Sequence, residues 1–306
     1  MSTVVTDRPT TGPRGRLASA AVACGAAAMA FVGGSTAVSG LLSDAPLATA
    51  QAVRYGLACL LLLGAARLVR EPVRRPRGRE WLWLGSTTAA GLLLFNVALV
   101  RGAAHAEPAV FGVAVASVPL VLALLGPVLE GRRPTAPVVT AAGVVTAGAA
   151  LVTGVGRADG AGVAWAVVVL FCEVGFTLLA VPVLAAHGPW GVSVHTTWLA
   201  AVGFGAAGLL AERPWSAGTA LTGPHVAAVV YLAVGVTAVA FVLWFSAVRG
   251  LGSGRAGLLT GVAPVAAAAA GVLLGGPVPA AGVWVGTAVV GLGLVVGLRA
   301  SGTMRQ

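Results

Sequence analysis

Residues 118–148 read VPLVLALLGPVLEGRRPTAPVVTAAGVVTAG, and residues 263–293 read APVAAAAAGVLLGGPVPAAGVWVGTAVVGLG. In each stretch one proline stands inside an apolar run (Pro119, Pro264). A second proline opens the next run (Pro134, Pro279), and a glycine lies late in it (Gly148, Gly293). All three pairs are 145 residues apart. Upstream, Val100-Arg101-Gly102 answers Val248-Arg249-Gly250 at a spacing of 148, so the halves differ there by a short indel. The chain therefore reads as one unit written twice.

The composition says where such a unit lives. Of 306 residues, 58% are apolar and 9% charged, and the mean hydropathy is +0.95. Soluble domains carry about 25% charged residues. So little charge cannot cover a water-facing surface, which excludes an ordinary soluble enzyme, a disordered chain and a disulfide-built secreted domain. Cys24, Cys59 and Cys172 are isolated in apolar stretches without ligand spacing, so neither a metal site nor a disulfide framework is expected.

Apolar runs occupy about 17–42, 46–68, 81–103, 108–129, 135–154, 162–182, 191–211, 225–246, 256–275 and 280–299. Each is near the ~20 residues that a spanning helix needs. None alternates with period two, and each is roughly twice a barrel strand, so helices are expected rather than a barrel. The fold expected is an all-α integral membrane protein of ten transmembrane helices arranged as two inverted five-helix repeats, 17–155 and 160–300. Flexible cytoplasmic tails are expected at 1–16 and 301–306. Arg14 and Arg16 resemble the start of a signal peptide, but the run after them is too long for a cleaved core, and the repeat needs it as its first helix.

An odd number of helices per repeat turns the second half over in the membrane. The arginines agree. With the N-terminus in the cytoplasm, Arg8, Arg14, Arg16, Arg67, Arg70, Arg74, Arg75, Arg77, Arg79, Arg132, Arg133, Arg249, Arg255, Arg299 and Arg305 lie inside, against Arg101, Arg157 and Arg213 outside. Positive residues favour the cytoplasmic side. A multi-pass cell-membrane protein with both termini cytoplasmic is expected. Trp81, Trp83, Trp190 and Trp244 near inner ends, and Trp165 and Trp284 near outer ends, read as headgroup anchors. The Arg-rich loop 67–80 is a candidate anionic-lipid contact. The net charge of +10 is thus explained by orientation, and no nucleic-acid partner is expected.

Paired five-helix units, Pro46…Arg54 in the second helix, Phe95…Ala98-Leu99 in the third, Pro119 and Leu129-Glu130 in the fourth, and Gly143…Gly148 in the fifth resemble the EamA-type family of the drug/metabolite transporter superfamily. The resemblance covers about residues 18–300. It implies a carrier of small metabolites, amino acids or drugs, often an exporter. The second half departs from the pattern: Gly275-Gly276 stands where a glutamate would match Glu130, and the seventh helix has no match for Arg54.

Charges at membrane depth are functional candidates. Arg54 lies in the second helix with Gln51 and Tyr55 on one face, where a guanidinium can hold a carboxylate or phosphate or serve structurally. Glu173, in the sixth helix with Thr177 one turn on, is a candidate proton carrier or a neutral interhelical hydrogen-bonding group, and a candidate partner for Arg54. Asn96 in the third helix can contact solute or bridge helices. His195, Thr196 and Thr197 are weaker candidates, and His105 and Glu107 belong to an outer boundary. Pro119 and Pro264 are candidate gating kinks, since each frees a backbone carbonyl. Gly252–Gly257 matches GxGxxG but follows no strand, so a dinucleotide site is not expected.

A secondary-active transporter working by alternating access, with no cofactor and a small solute and the bilayer as partners, is the leading reading. The alternatives are an integral-membrane enzyme and a non-transporting membrane subunit. An enzyme needs a nucleophile–base or metal constellation. The histidines at 105, 187, 195 and 225 are scattered, and Gly191-Val192-Ser193-Val194-His195 is not a nucleophile elbow.

Overall fold

The structure is a computed structural model. It describes residues 13–39, 42, 45–212, 221–273, 275 and 278–299, so the tail at 301–306, most of the tail at 1–16, Arg213 and Gly276 lie outside the described residues. Ten helices are long and apolar enough to cross a membrane. They are α1 (Pro13–Ser39), α2 (Leu47–Leu68), α3 (Glu80–Gly102), α4 (Pro108–Leu129), α5 (Ala136–Thr153), α6 (Gly160–Leu178), α7 (Val181–Glu212), α8 (Gly223–Leu251), α9 (Ser253–Leu273) and α10 (Ala281–Arg299). No β-strand occurs among the described residues. The end of the bundle that carries the start of α1 is called proximal below, and the other end distal.

Helix starts follow local chemistry. Pro108, Pro137, Pro182 and Pro224 stand in first turns, where a missing N–H costs nothing. Asp159 accepts from the Gly162 N–H at 2.8 Å as the cap of α6. That bond, and His105 at 2.9 Å, hold the Asp159 carboxyl below its usual range. Beside it Arg157 Nε donates to Glu107 at 2.8 Å. These two pairs clasp the α3–α4 and α5–α6 loops at the distal surface.

Several expected boundaries move. α1 begins at Pro13, inside the segment expected as a tail. α6 stops at Leu178, because Pro182 already opens α7 at Val181. α7 is broken at Gly188, whose φ of 65° suits glycine and which Pro189 follows. α8 runs on to Leu251 and ends on Gly252 at φ 79°. The GxGxxG stretch is therefore that turn and the start of α9.

The repeats interlock rather than stand side by side. α1 packs on α8 and α9, while α6, its counterpart, packs on α3 and α4, the counterparts of α8 and α9. Counterparts also meet each other directly: α2 with α7, α4 with α9, and most extensively α5 with α10. The last seam is set by the glycines of the repeat. A Cβ on Gly148 would lie 2.7 Å from the Val290 nitrogen, and one on Gly293 would lie 3.0 Å from the Val145 nitrogen. Small residues permit this backbone approach.

The matched prolines coincide with matched breaks. α4 is interrupted at Ser117, just before Pro119, and α9 tightens into a 3₁₀ turn at Leu259–Gly261, just before Pro264. A second match has no counterpart in the sequence pattern. α3 and α8 each contain a π-helical stretch, Ala89–Leu94 and Leu232–Val239. Such stretches recur at functional sites.

Candidate functional site

α2 contributes Gln51, Arg54 and Tyr55 from neighbouring turns of one face. α3 contributes Asn96, placed just after its π-helical stretch, and α8 contributes Thr237 from within its own. The side chains form one network. Arg54 Nε donates to Thr237 Oγ1 at 2.9 Å, and Arg54 Nη1 donates to Gln51 Oε1 at 3.3 Å. Gln51 Nε2 donates to Asn96 Oδ1 at 2.8 Å. Asn96 Nδ2 donates to the Leu92 carbonyl at 2.7 Å and to the Tyr55 hydroxyl at 3.4 Å. The Tyr55 ring lies parallel to Phe204 of α7, with centroids 5.8 Å apart.

Gln51, Tyr55, Asn96 and Thr237 are buried, whereas Arg54 is half-buried. The network fixes one edge of the guanidinium and leaves Nη2 uncommitted. Among the described residues no carboxylate pairs with it. A fixed, half-open guanidinium flanked by an amide pair and a phenol can take a planar anion through two parallel hydrogen bonds.

Four of the expected site residues thus come together, and two do not. Thr177 is buried on α6 and accepts from Trp244 Nε1 at 3.1 Å. Glu173 is half-buried on the same helix, and among the described residues it has no hydrogen-bond or ion-pair partner. The Arg54–Glu173 pairing is absent. α8 links the Arg54 network to α6, presenting Thr237 to Arg54 and Trp244 to Thr177. Those residues are seven apart, about 10 Å along a helix. Phe176 of α6 packs on Phe241 and Phe245 at the same level, with centroids 4.9 and 5.1 Å away. Trp244 is therefore an interior residue, 4% exposed, and not the headgroup anchor expected from its place near a helix end.

The weaker candidates serve the structure. Thr196 and Thr197 return their hydroxyls to carbonyls of α7 at 2.9 and 2.8 Å. His195 Nδ1 takes the Trp198 indole N–H at 3.2 Å, so Nε2 carries the proton and donates to the Arg74 carbonyl at 2.8 Å. With His187 at 3.1 Å from Glu80, these bonds pin the Arg-rich loop to the broken start of α7. The loop's arginines remain exposed.

At the proximal end a cavity of about 460 Å³ opens between the repeats, lined among others by Glu130, Arg132, Leu184, Val248, Arg249 and Arg255. Glu130 accepts from the Ser253 N–H at 2.8 Å, from the Ser253 hydroxyl and from Arg132. Burial pushes the Glu130 carboxyl upward, but these hydrogen bonds outweigh it and hold it below the usual carboxylate range. Glu130 is thus an anion at neutral pH. No group of three or more metal-ligating side chains occurs among the described residues.

Sequence reasoning missed Thr237. A threonine in an apolar helix normally bonds its own backbone, as Thr88 and Thr153 do, so its type carries no signal.

The profile of the EamA-like transporter family matches residues 19–154 and again 160–299, one match to each repeat. Among solved structures, a protein described as "Crystal structure of protein" superposes with a TM-score of 0.78 over 94% of this chain and 99% of its own, at 20% identity. At that identity the likeness concerns the fold. No curated protein matches the chain.

Proposed function

This chain belongs to the EamA-like transporter family, and from that premise we propose a secondary-active carrier that exports a small solute across the cell membrane by alternating access. The observation that carries the reading is the network on Arg54. A cation oriented by neutral groups from three helices of both repeats is set up to receive an anionic group. The solute classes that fit are metabolites, amino acids and drugs bearing a carboxylate or phosphate. The interlocked repeats supply two related arrangements that can exchange. Breaks before Pro119 and Pro264 are the places where α4 and α9 bend. Both termini lie in the cytoplasm, where the exposed arginines of loop 67–80 meet anionic headgroups.

The test is a thermal-stability screen of the purified protein against amino acids, nucleosides and common drugs, followed by flux of the hits in proteoliposomes. A hit that stabilises the wild type, but not Arg54→Ala, supports the assignment. A hit that is carried equally well by Arg54→Ala removes Arg54 from the site.

Glu173 gives a separate expectation. A carboxyl group with no fixed partner is free to gain and lose a proton during the cycle. Glu173→Gln keeps the shape and removes the exchange. Transport by this variant is expected to lose the pH dependence of the wild type in proteoliposomes. An unchanged profile assigns coupling elsewhere.

A further inference from the structure

Two of the helices that lack a side-chain cap of their own are capped from elsewhere in the bundle. α2 starts after Pro46 and α9 after Gly252, and neither offers a side-chain acceptor. The first N–H groups of a helix need partners, and in both cases a glutamate from another helix supplies them. At the distal end Glu212 accepts from the Ala48 and Thr49 N–H groups and from the Thr49 hydroxyl, each at 2.8 Å. At the proximal end Glu130 accepts from the Ser253 N–H at 2.8 Å and from the Ser253 hydroxyl.

The correspondence goes further. Glu212 ends α7, and α7 is the repeat counterpart of α2. Glu130 follows α4, and α4 is the repeat counterpart of α9. Each carboxylate therefore sits at the end of one helix and caps the beginning of that helix's own counterpart, with a hydroxyl side chain in the first turn as second donor. One such cap lies at each end of the bundle, and both join the first repeat to the second. A cap supplied from within its own segment survives any relative motion of the halves. These two do not, because separating the repeats at either face breaks the cap there.

We propose that Glu130 and Glu212 are the two gate residues of the transport cycle, each cap releasing when its own face opens and re-forming when the opposite face does. The inference rests on the carrier reading above, and it assigns to the gates two residues outside the Arg54 network. Both caps are made in the present structure.

The test needs no solute. Cys24, Cys59 and Cys172 are replaced by alanine, and one reporter is introduced, either Ala256→Cys behind the proximal cap or Ala48→Cys at the distal one. Both positions are buried, 0% and 8% exposed. Reconstituted protein of determined orientation is reacted with a membrane-impermeant maleimide. Glu130→Ala is expected to speed labelling of the proximal reporter about tenfold and to slow the distal one, because weakening one latch shifts the population toward that open form. Glu212→Ala is expected to do the reverse. Glu130→Gln and Glu212→Gln keep the shape and one acceptor oxygen, and they should shift the same rates in the same directions, less far. They carry the test if an alanine variant fails to elute as a monodisperse protein. Faster labelling only at the end mutated, or no change at either, overturns the proposal and leaves two static caps. Reciprocal labelling in a protein that carries no solute would instead defeat the carrier reading and spare the latches.

Discussion

Arg54→Ala is expected to reduce flux to the level of empty vesicles while the amount of protein in the membrane stays close to wild type. The split between the two readouts is the point. Arg54 makes only two hydrogen bonds to the protein, to Thr237 and Gln51, and it has no carboxylate partner among the described residues. Its removal frees two neutral acceptors, Gln51 Oε1, whose amide stays bonded to Asn96, and the buried Thr237 hydroxyl. That is a modest structural cost, about 1 kcal/mol per bond. A solute anion that loses a paired guanidinium at membrane depth loses more. Charged hydrogen bonds are worth about 1.5–3 kcal/mol each, and two of them amount to a loss of roughly a hundredfold or more in affinity. Arg54→Lys separates charge from geometry. A lysine ammonium is a point charge without the planar fork, so flux is expected between the other two. Thr237→Val tests the tether: the charge remains but its orientation is lost, and KM rises more than the maximal rate falls. If protein abundance falls in step with flux in Arg54→Ala, the residue is a structural pin.

Much of this site is legible in the sequence. Arg54, Gln51, Tyr55 and Asn96 stand out because polar groups in an apolar helix must find partners, and in this bundle they find one another. Their neighbour Thr237 does not stand out, since a helical threonine usually answers its own backbone. The π-helical stretches, one just before Asn96 and one around Thr237, correspond to no feature of the apolar pattern. Trp244 shows the opposite case. Being near the end of an apolar run is a statement about sequence distance, whereas α8 continues for seven more residues and carries the indole into the interior. Glu130 is visible as part of a motif, but its function as the cap of α9 depends on how the repeats cross. The ten spans themselves are readable because each must satisfy its backbone alone in lipid, a constraint that leaves a continuous apolar signature.

The glycines of the repeat lead to the largest effect expected on assembly. Gly148 and Gly286 face each other across the α5–α10 seam. A Cβ on Gly148 would come 2.7 Å from the Val290 nitrogen and 2.9 Å from the Gly286 carbonyl oxygen, and a Cβ on Gly286 would come 2.7 Å from the Gly148 oxygen. The neighbours are backbone atoms, which cannot rotate away, so the helices themselves must part. Even Gly148→Ala is expected to destabilise by about 1–3 kcal/mol, the usual range for overpacking. Gly148→Leu drives a whole side chain into the same gap and is expected to abolish a monodisperse protein in size-exclusion chromatography. Gly143, five residues earlier on the same helix, has nothing within 4 Å of its missing Cβ. There Gly143→Ala adds only helix propensity, about 1 kcal/mol in the favourable direction, and the melting temperature should hold or rise. The contrast separates the two explanations of a glycine in a membrane helix. If Gly148→Ala and Gly143→Ala behave alike, backbone approach between α5 and α10 does not set the distance between the repeats, and the 145-residue match of Gly148 with Gly293 records ancestry without a packing role.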